Sequence, residues 1–188
     1  MVKSLSSARR GVFARLVRRS FVRDTSGATA IEFGILALPF FAIIGAILET
    51  SLVFLSGQIL DSAVSDASRQ IRTGQAVNAT FGVGEFRNLI CGGLYGLFDC
   101  SALNIRVSTI SDFSSAVVTL PVNAACTSSC TWTTPDTYGP GSGSSTIMVQ
   151  VYYKWPIILD FGGGLSLADL PDRTRLLATV RVFRNEPF

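Results

Sequence analysis

The hydrophobic pattern of the chain is dominated by one long apolar run near its start. Residues 33–48 contain neither a charged nor a polar side chain, and residues 52–55 add a second apolar patch. As a helix, residues 31–55 would be about 37 Å long at ~1.5 Å per residue, which is enough to cross a hydrocarbon core of about 30 Å. The pattern therefore predicts a membrane-spanning helix, kinked at Pro39.

Helical periodicity continues beyond this run. Across residues 57–76 the apolar positions recur three and four residues apart, at Leu60, Ala63, Val64, Ala67 and Ile71. This spacing predicts an amphipathic helix, and because only Gly57 interrupts it, we expect one helix continuous with the span. Residues 85–98 predict a second, shorter helix, which is weakened by three glycines.

Period-two alternation follows and predicts strands. The alternating stretches are residues 103–108, 116–122, 147–155 and 176–182. Pro121 would restrict the second of these to a sheet edge. In the last, the apolar face is expected to comprise Leu176, Ala178, Val180 and Val182. Residues 133–146, rich in Gly, Ser and Pro, predict a long flexible loop.

The expected fold class is therefore α+β. A long N-terminal transmembrane helix would continue into an amphipathic helix packed on a small antiparallel β-sheet, whose strands are half-buried. The expected organisation is a basic cytoplasmic leader at 1–27, a transmembrane helix at 28–56 and a periplasmic domain at 57–188.

Composition and charge support the predicted membrane segment and indicate its orientation. Of 188 residues, 48% are hydrophobic and the mean hydropathy is +0.42, which supports a membrane segment. Residues 1–23 hold seven of the 16 basic residues and no acid. Such an arm could bind nucleic acid, but its position directly before the apolar run favours an orientation signal that stays in the cytoplasm. A cleaved signal peptide is the alternative; the length of the run and the absence of a small-x-small pair directly after it favour a retained anchor.

The inventory of reactive side chains is short. Histidine is absent, which excludes Ser-His-Asp and Cys-His catalysis and His-ligated metals. Four cysteines, Cys91, Cys100, Cys126 and Cys130, all follow the apolar run, as expected for disulfides in an oxidising compartment. Three connectivities are possible, and pairing of sequence neighbours, 91 with 100 and 126 with 130, is favoured. The spacings differ from C-x₂-C, so we expect neither a metal site nor a cofactor.

The beginning of the apolar run carries the most specific motif, GATAIEF, from Gly27 to Phe33. A glycine with a glutamate five residues later, between a basic arm and an apolar run, resembles the type IV prepilin processing site. Glu32 followed by Phe33 resembles the version found in the Tad (tight adherence, or Flp) pilus. The surrounding TSGATAIEFGILALPFF is similar to the TadE-like pseudopilins, and the resemblance extends over about residues 20–75.

This resemblance implies a role for each matching position. Gly27 would precede the bond cut by a membrane-embedded aspartyl prepilin peptidase, and Ala28 would become the new N-terminus. Glu32 would guide processing or assembly, for example by pairing with the α-amine of a neighbouring subunit, because a lone carboxylate in lipid is costly. Glu49, about 100° further around the helix, is a second assembly candidate, or else a solvated residue at the periplasmic end of the span.

The expected function is that of a minor pseudopilin or pilus-assembly protein. Its partners would be the prepilin peptidase, other pseudopilins and pilin subunits of the Tad machinery, and the inner membrane of a diderm bacterium. Nucleic acid is not expected as a partner. The alternative is an unprocessed, signal-anchored periplasmic binding or sensor domain. An enzyme is not expected, because histidine and any nucleophile motif are lacking.

Overall fold

The computed structural model describes residues 27–77, 80–123, 125–159 and 166–188. The basic arm at residues 1–23 lies outside the described residues, so its predicted role as an orientation signal stays a prediction. The chain divides into two compact units, Met1–Gly45 and Ala46–Phe188.

The first helix, α1, runs from Ala28 to Arg72 without interruption and includes Pro39. Of the described residues, these 45 form the one helix that is long and apolar enough to cross a membrane. The predicted continuity of the two helical segments is confirmed, since a single glycine such as Gly57 costs a helix only about 1 kcal/mol. The helix ends at Arg72, four residues before the predicted end.

The C-terminal part of α1 buries one face in the core of the second unit. Leu60, Val64 and Ile71 are fully buried there. Val64 lies four positions after Leu60, and Ile71 lies seven positions after Val64, so the three side chains share one face of the helix, as the periodicity predicted.

The second helix, α2, spans Val83–Gly92 and buries Phe86 and Ile90. It begins with a capping box, in which the Glu85 side chain accepts the Gly82 backbone N–H at 2.9 Å. The predicted helix is thus present but ends at Gly92, because glycines follow and stabilise a turn more readily than a helix.

The sheet has four strands, β1 (Asn104–Ile110), β2 (Thr137–Tyr138), β3 (Thr146–Pro156) and β4 (Thr174–Arg184), in the order β2-β1-β3-β4. The β1–β3 and β3–β4 pairs are antiparallel, whereas β2 pairs with β1 in parallel. The sheet is therefore mixed rather than wholly antiparallel, within an α+β fold that is otherwise as predicted.

Strand β2 lies within residues 133–146, which were predicted to be a loop throughout. Tyr138 explains this difference, because its ring packs on Phe86 and Phe81 with centroids 5.6 and 5.7 Å apart. Its hydroxyl also donates to the Ala76 carbonyl at 2.6 Å. These long-range contacts hold a short strand in a segment of loop-like composition.

Residues 116–122 do not form the predicted strand. Instead, this stretch runs over β3, where Gln150 and Tyr152 donate side-chain hydrogen bonds to the carbonyls of Val117 and Thr119 at 3.5 and 3.4 Å. Beneath it, residues 147–153 of β3 are all buried, so the central strand is covered on both faces rather than one.

The two faces of β4 are the reverse of the prediction. Thr179 lies opposite Val151, and Arg181 lies opposite Val149, on the face that packs against α1. The predicted apolar face pairs with the opposite side of β3, where Ala178 lies opposite Tyr152. The polar residues Thr179 and Arg181 therefore lie on the helix side of the sheet.

Candidate functional site

The predicted cleavage site lies at the first turn of α1. The Gly27 carbonyl accepts the Ile31 N–H at 3.1 Å, so the Gly27–Ala28 peptide bond stands at the start of the helix. Gly27 is exposed, and a Cβ added to it would meet nothing within 4 Å. The folded chain therefore has space for a side chain at position 27. A requirement for glycine here would come from a molecule that binds this segment.

Glu32 and Phe33 are both exposed in the next turn. Glu32 lies four positions after Ala28, which places these two residues on the same face of the helix, about 5–6 Å apart at Cβ. Within the described residues, no ion pair involves Glu32. The first turns of α1 thus present a carboxylate next to a large apolar side chain.

Glu49 is in a different environment. Its side chain is buried, with 4% of the residue exposed, and its Oε1 accepts the Ile158 backbone N–H at 3.0 Å. The two residues are 109 positions apart in sequence. The structure therefore gives this carboxylate an intrachain partner, which no local pattern could have indicated. A role for Glu49 between subunits stays a prediction.

All four cysteines are paired as sequence neighbours. Cys91 at the end of α2 is bonded to Cys100 shortly before β1, and Cys126 is bonded to Cys130. The favoured local connectivity is present, and it leaves no thiolate for a metal. Within the described part of the chain, no group of three or more His, Cys, Asp or Glu side chains is arranged to hold a metal ion.

The pairing of Arg87 with Asp136 connects α2 to the segment that contains β2. The Arg87 guanidinium donates to the carbonyls of Cys100 and Leu103 at 2.7 and 2.8 Å and forms an ion pair with Asp136. Asp136 also accepts the Ile105 N–H at 2.8 Å. Because every partner lies at least 13 positions from Arg87 in sequence, the sequence analysis missed this cluster.

Two groups with shifted pKa values, Tyr138 and Asp172, have structural explanations. Burial raises the pKa of the Tyr138 hydroxyl well above its usual value. Burial also acts to raise the pKa of Asp172, but hydrogen bonds from Thr174 and the Cys130 N–H, with the charge of Lys154, outweigh it and lower the pKa overall. Tyr138 therefore stays protonated and Asp172 ionised near neutral pH, which suits neither for proton transfer there.

A groove of about 300 Å³ separates α1 from β4 in the second unit. Its apolar wall includes Val53, Leu60 and Leu177, and its polar groups include Arg175 and Thr179. Among the described residues that line it there is no acid, histidine or cysteine, so these residues offer no acid–base pair for catalysis.

The described residues define the class of protein to which the chain belongs: it has a membrane-length apolar helix and an α+β unit with two internal disulfides. Comparison with protein families identifies this segment further: residues 27–69 match the family model described as TadE-like protein. The match confirms the resemblance read from the GATAIEF motif, and it begins at Gly27. Searches of curated proteins and of solved structures found no match.

Proposed function

We propose that this chain is a minor pseudopilin or pilus-assembly protein of the Tad (Flp) adhesive pilus. The observation that carries the proposal is the coincidence of three features at Gly27. The TadE-like match begins there, α1 begins at the next residue, and Glu32 is exposed one turn further along.

Processing would occur at the bond between Gly27 and Ala28. An exposed glycine without steric contacts fits recognition by a prepilin peptidase, because the absence of a side chain lets a protease approach the backbone closely. Cleavage would release the α-amine of Ala28 on the helix face that carries Glu32. A cation at a helix N-terminus opposes the helix dipole, so the new α-amine would favour a carboxylate as its partner.

Assembly would use the same carboxylate. Because an unpaired carboxylate in lipid is costly, Glu32 favours an arrangement in which the α-amine of a neighbouring subunit offsets its charge. The large apolar side chains exposed around it, such as Ile35 and Leu36, would pack against neighbouring helices or lipid. The chain would thus act through binding, without a catalytic step or a cofactor.

The proposed topology is a single pass through the inner membrane. The basic residues of 1–23 would remain in the cytoplasm, and residues 57–188 would lie in the periplasm. Two disulfides support this arrangement, because such bonds form and persist in the oxidising periplasm. The expected partners are pseudopilins and pilins of the Tad machinery.

N-terminal sequencing of the protein from bacterial membranes tests the proposal. A mature chain beginning at Ala28 is expected, and a Gly27→Leu variant should remain full length. Gly34→Leu is the matched control, because a Cβ at Gly34 also meets nothing within 4 Å, and this variant should be processed normally. An intact Met1 terminus in the wild type would instead favour the unprocessed, signal-anchored domain.

The role of Glu32 has its own test. A Glu32→Gln variant keeps the size of the side chain but removes its charge, so we expect a loss of processing or of pilus formation. Normal processing together with normal piliation would show that this charge has neither role.

A further inference from the structure

The chain bends directly after β3, at residues 157–159, and this turn is hydrogen-bonded to α1 at the point where the apolar run ends. Glu49 directly follows Leu48, the last residue of that run, and its carboxylate accepts the Ile158 N–H at 3.0 Å. The preceding N–H, of Ile157, donates to the Arg173 carbonyl at 3.1 Å, and the Ile157 side chain is buried. Hydrogen bonds donated by two consecutive backbone N–H groups, those of Ile157 and Ile158, therefore define the position of this turn.

The next two side chains are apolar and exposed. Ile158 is 76% exposed and Leu159 is 37% exposed. Turns usually carry polar residues or glycine, so two branched apolar side chains in succession at a turn indicate a surface that contacts something apolar. Leu48 and Leu52, which flank Glu49 on α1, are also exposed, at 59% and 45%.

We propose that Ile158 and Leu159 insert into the interfacial layer of the membrane that α1 crosses, with Glu49 as the positioning residue. This inference rests on the proposed membrane anchorage. The observation that selects lipid over protein is continuity with the span. About 20 helical residues cross a hydrocarbon core of about 30 Å, so a span that begins near Ile31 reaches the far boundary near Thr50, and the turn bonded to Glu49 lies at the same boundary. Exposed apolar side chains at that depth meet headgroups and the upper acyl chains.

The burial of Glu49 fits this location. Glu49 is buried by the folded chain beside the span, where neither its carboxylate nor the Ile158 N–H has ready access to water. The hydrogen bond between Glu49 and Ile158 satisfies both groups at once. Because this bond holds the backbone in place, the side chains of Ile158 and Leu159 are exposed instead of being packed against the core.

Photo-crosslinking in bacterial membranes tests the insertion. The full chain would carry p-benzoylphenylalanine at position 158, and adducts would be identified by mass spectrometry after irradiation. We expect phospholipid adducts at 158, at several times the yield from position 117. Val117 is the matched control, because it is an apolar residue that is 69% exposed elsewhere in the same unit. Adducts with another protein, or equal lipid yields at both positions, would overturn the proposal.

The positioning role is tested by adding a second substitution to the chain labelled at 158. Glu49→Ala should lower the lipid-adduct yield several-fold, whereas Glu49→Gln, which keeps an oxygen acceptor, should retain most of it. Thr50→Ala serves as a neighbouring control, since the Thr50 hydroxyl bonds only within the helix, to the Ala46 carbonyl. An unchanged yield in Glu49→Ala would show that Glu49 does not position the turn.

Extraction of the membranes with alkaline carbonate separates this inference from the proposed function. Release of the chain into the soluble fraction would refute the anchorage itself. Retention in the membrane without lipid adducts at 158 would refute only the insertion of the turn.

Discussion

Arg181 of β4 forms an ion pair with Asp61 of α1 across the interface between helix and sheet, at 2.5 Å. Arg181 lies opposite Val149 of β3, on the face that a hydrophobic residue would usually occupy. Arg181 can lie on the side of β4 that faces α1 because Asp61 supplies the opposite charge there. The two side chains keep 38% and 42% of their surface exposed, so water still reaches both charges.

A double-mutant cycle on Asp61 and Arg181 should therefore give a small coupling energy. We expect about 0.5–1 kcal/mol, because partly exposed pairs are screened by water and salt. The measurement is urea unfolding of the full chain in mild detergent, followed by tryptophan fluorescence and repeated at high salt. A coupling that exceeds this range and is insensitive to salt would contradict the prediction.

Two adjacent glycines should respond in opposite ways to alanine. A Cβ at Gly93 would lie 2.9 Å from the Cβ of Ala63 on α1, closer than carbon atoms can pack, whereas one at Gly92 would meet nothing within 4 Å. We expect Gly93→Ala to destabilise by about 1–3 kcal/mol through overpacking. Gly92→Ala should be neutral or stabilise by up to about 1 kcal/mol, because alanine favours helix. Similar unfolding midpoints for the two variants would refute this close approach of helices.

The two disulfides should contribute unequally to stability. Nine positions separate Cys91 from Cys100, and four separate Cys126 from Cys130. In the chain-entropy account the larger loop stabilises by roughly 2.7 kcal/mol and the smaller by roughly 2 kcal/mol. Paired Cys→Ala variants and peptide mapping under non-reducing conditions test both the order and the connectivity. A crossed connectivity would contradict the structure.

Replacing Arg87 should lower the free energy of unfolding more than replacing either Asp61 or Arg181. Arg87→Ala would leave the Cys100 and Leu103 carbonyls and the Asp136 carboxylate without this donor, and we expect about 2–4 kcal/mol of destabilisation. Arg87→Lys should recover only part of this, because one ammonium cannot reproduce the planar guanidinium contacts. An Arg87→Ala variant within 0.5 kcal/mol of the wild type would exclude the cluster as a structural support.

The stability of the second unit should decrease in acid partly through Asp172. Its pKa is lower in the folded chain than the ordinary value of 3.8, so its contribution is complete above that pH and is lost as the pH falls through the folded pKa. Unfolding measured from pH 7 to pH 2 should show this loss. Asp172→Asn should be less stable by about 1–2 kcal/mol at pH 7 and should show a weaker decline below pH 4. An equally steep decline in the variant would assign the acid sensitivity to other carboxylates.

The sequence by itself determined the features that depend on near neighbours. The apolar run, the helical continuation beyond Gly57 and the GATAIEF motif at Gly27 are all visible as spacing along the chain. So are α2 and the strands β1, β3 and β4, because helix and strand periods are local properties. The short separations of the cysteines likewise favoured the pairing that the structure shows.

Tertiary structure alone decided which faces and loops meet. The inward face of β4 depends on Asp61, which lies 120 residues before Arg181, and the burial of Glu49 depends on the Ile158 N–H. Strand β2 exists because of the packing around Tyr138, whereas residues 116–122 lack a strand despite a suitable pattern. In each case the deciding free energy comes from a contact between distant segments, and local periodicity carries no information about such a contact.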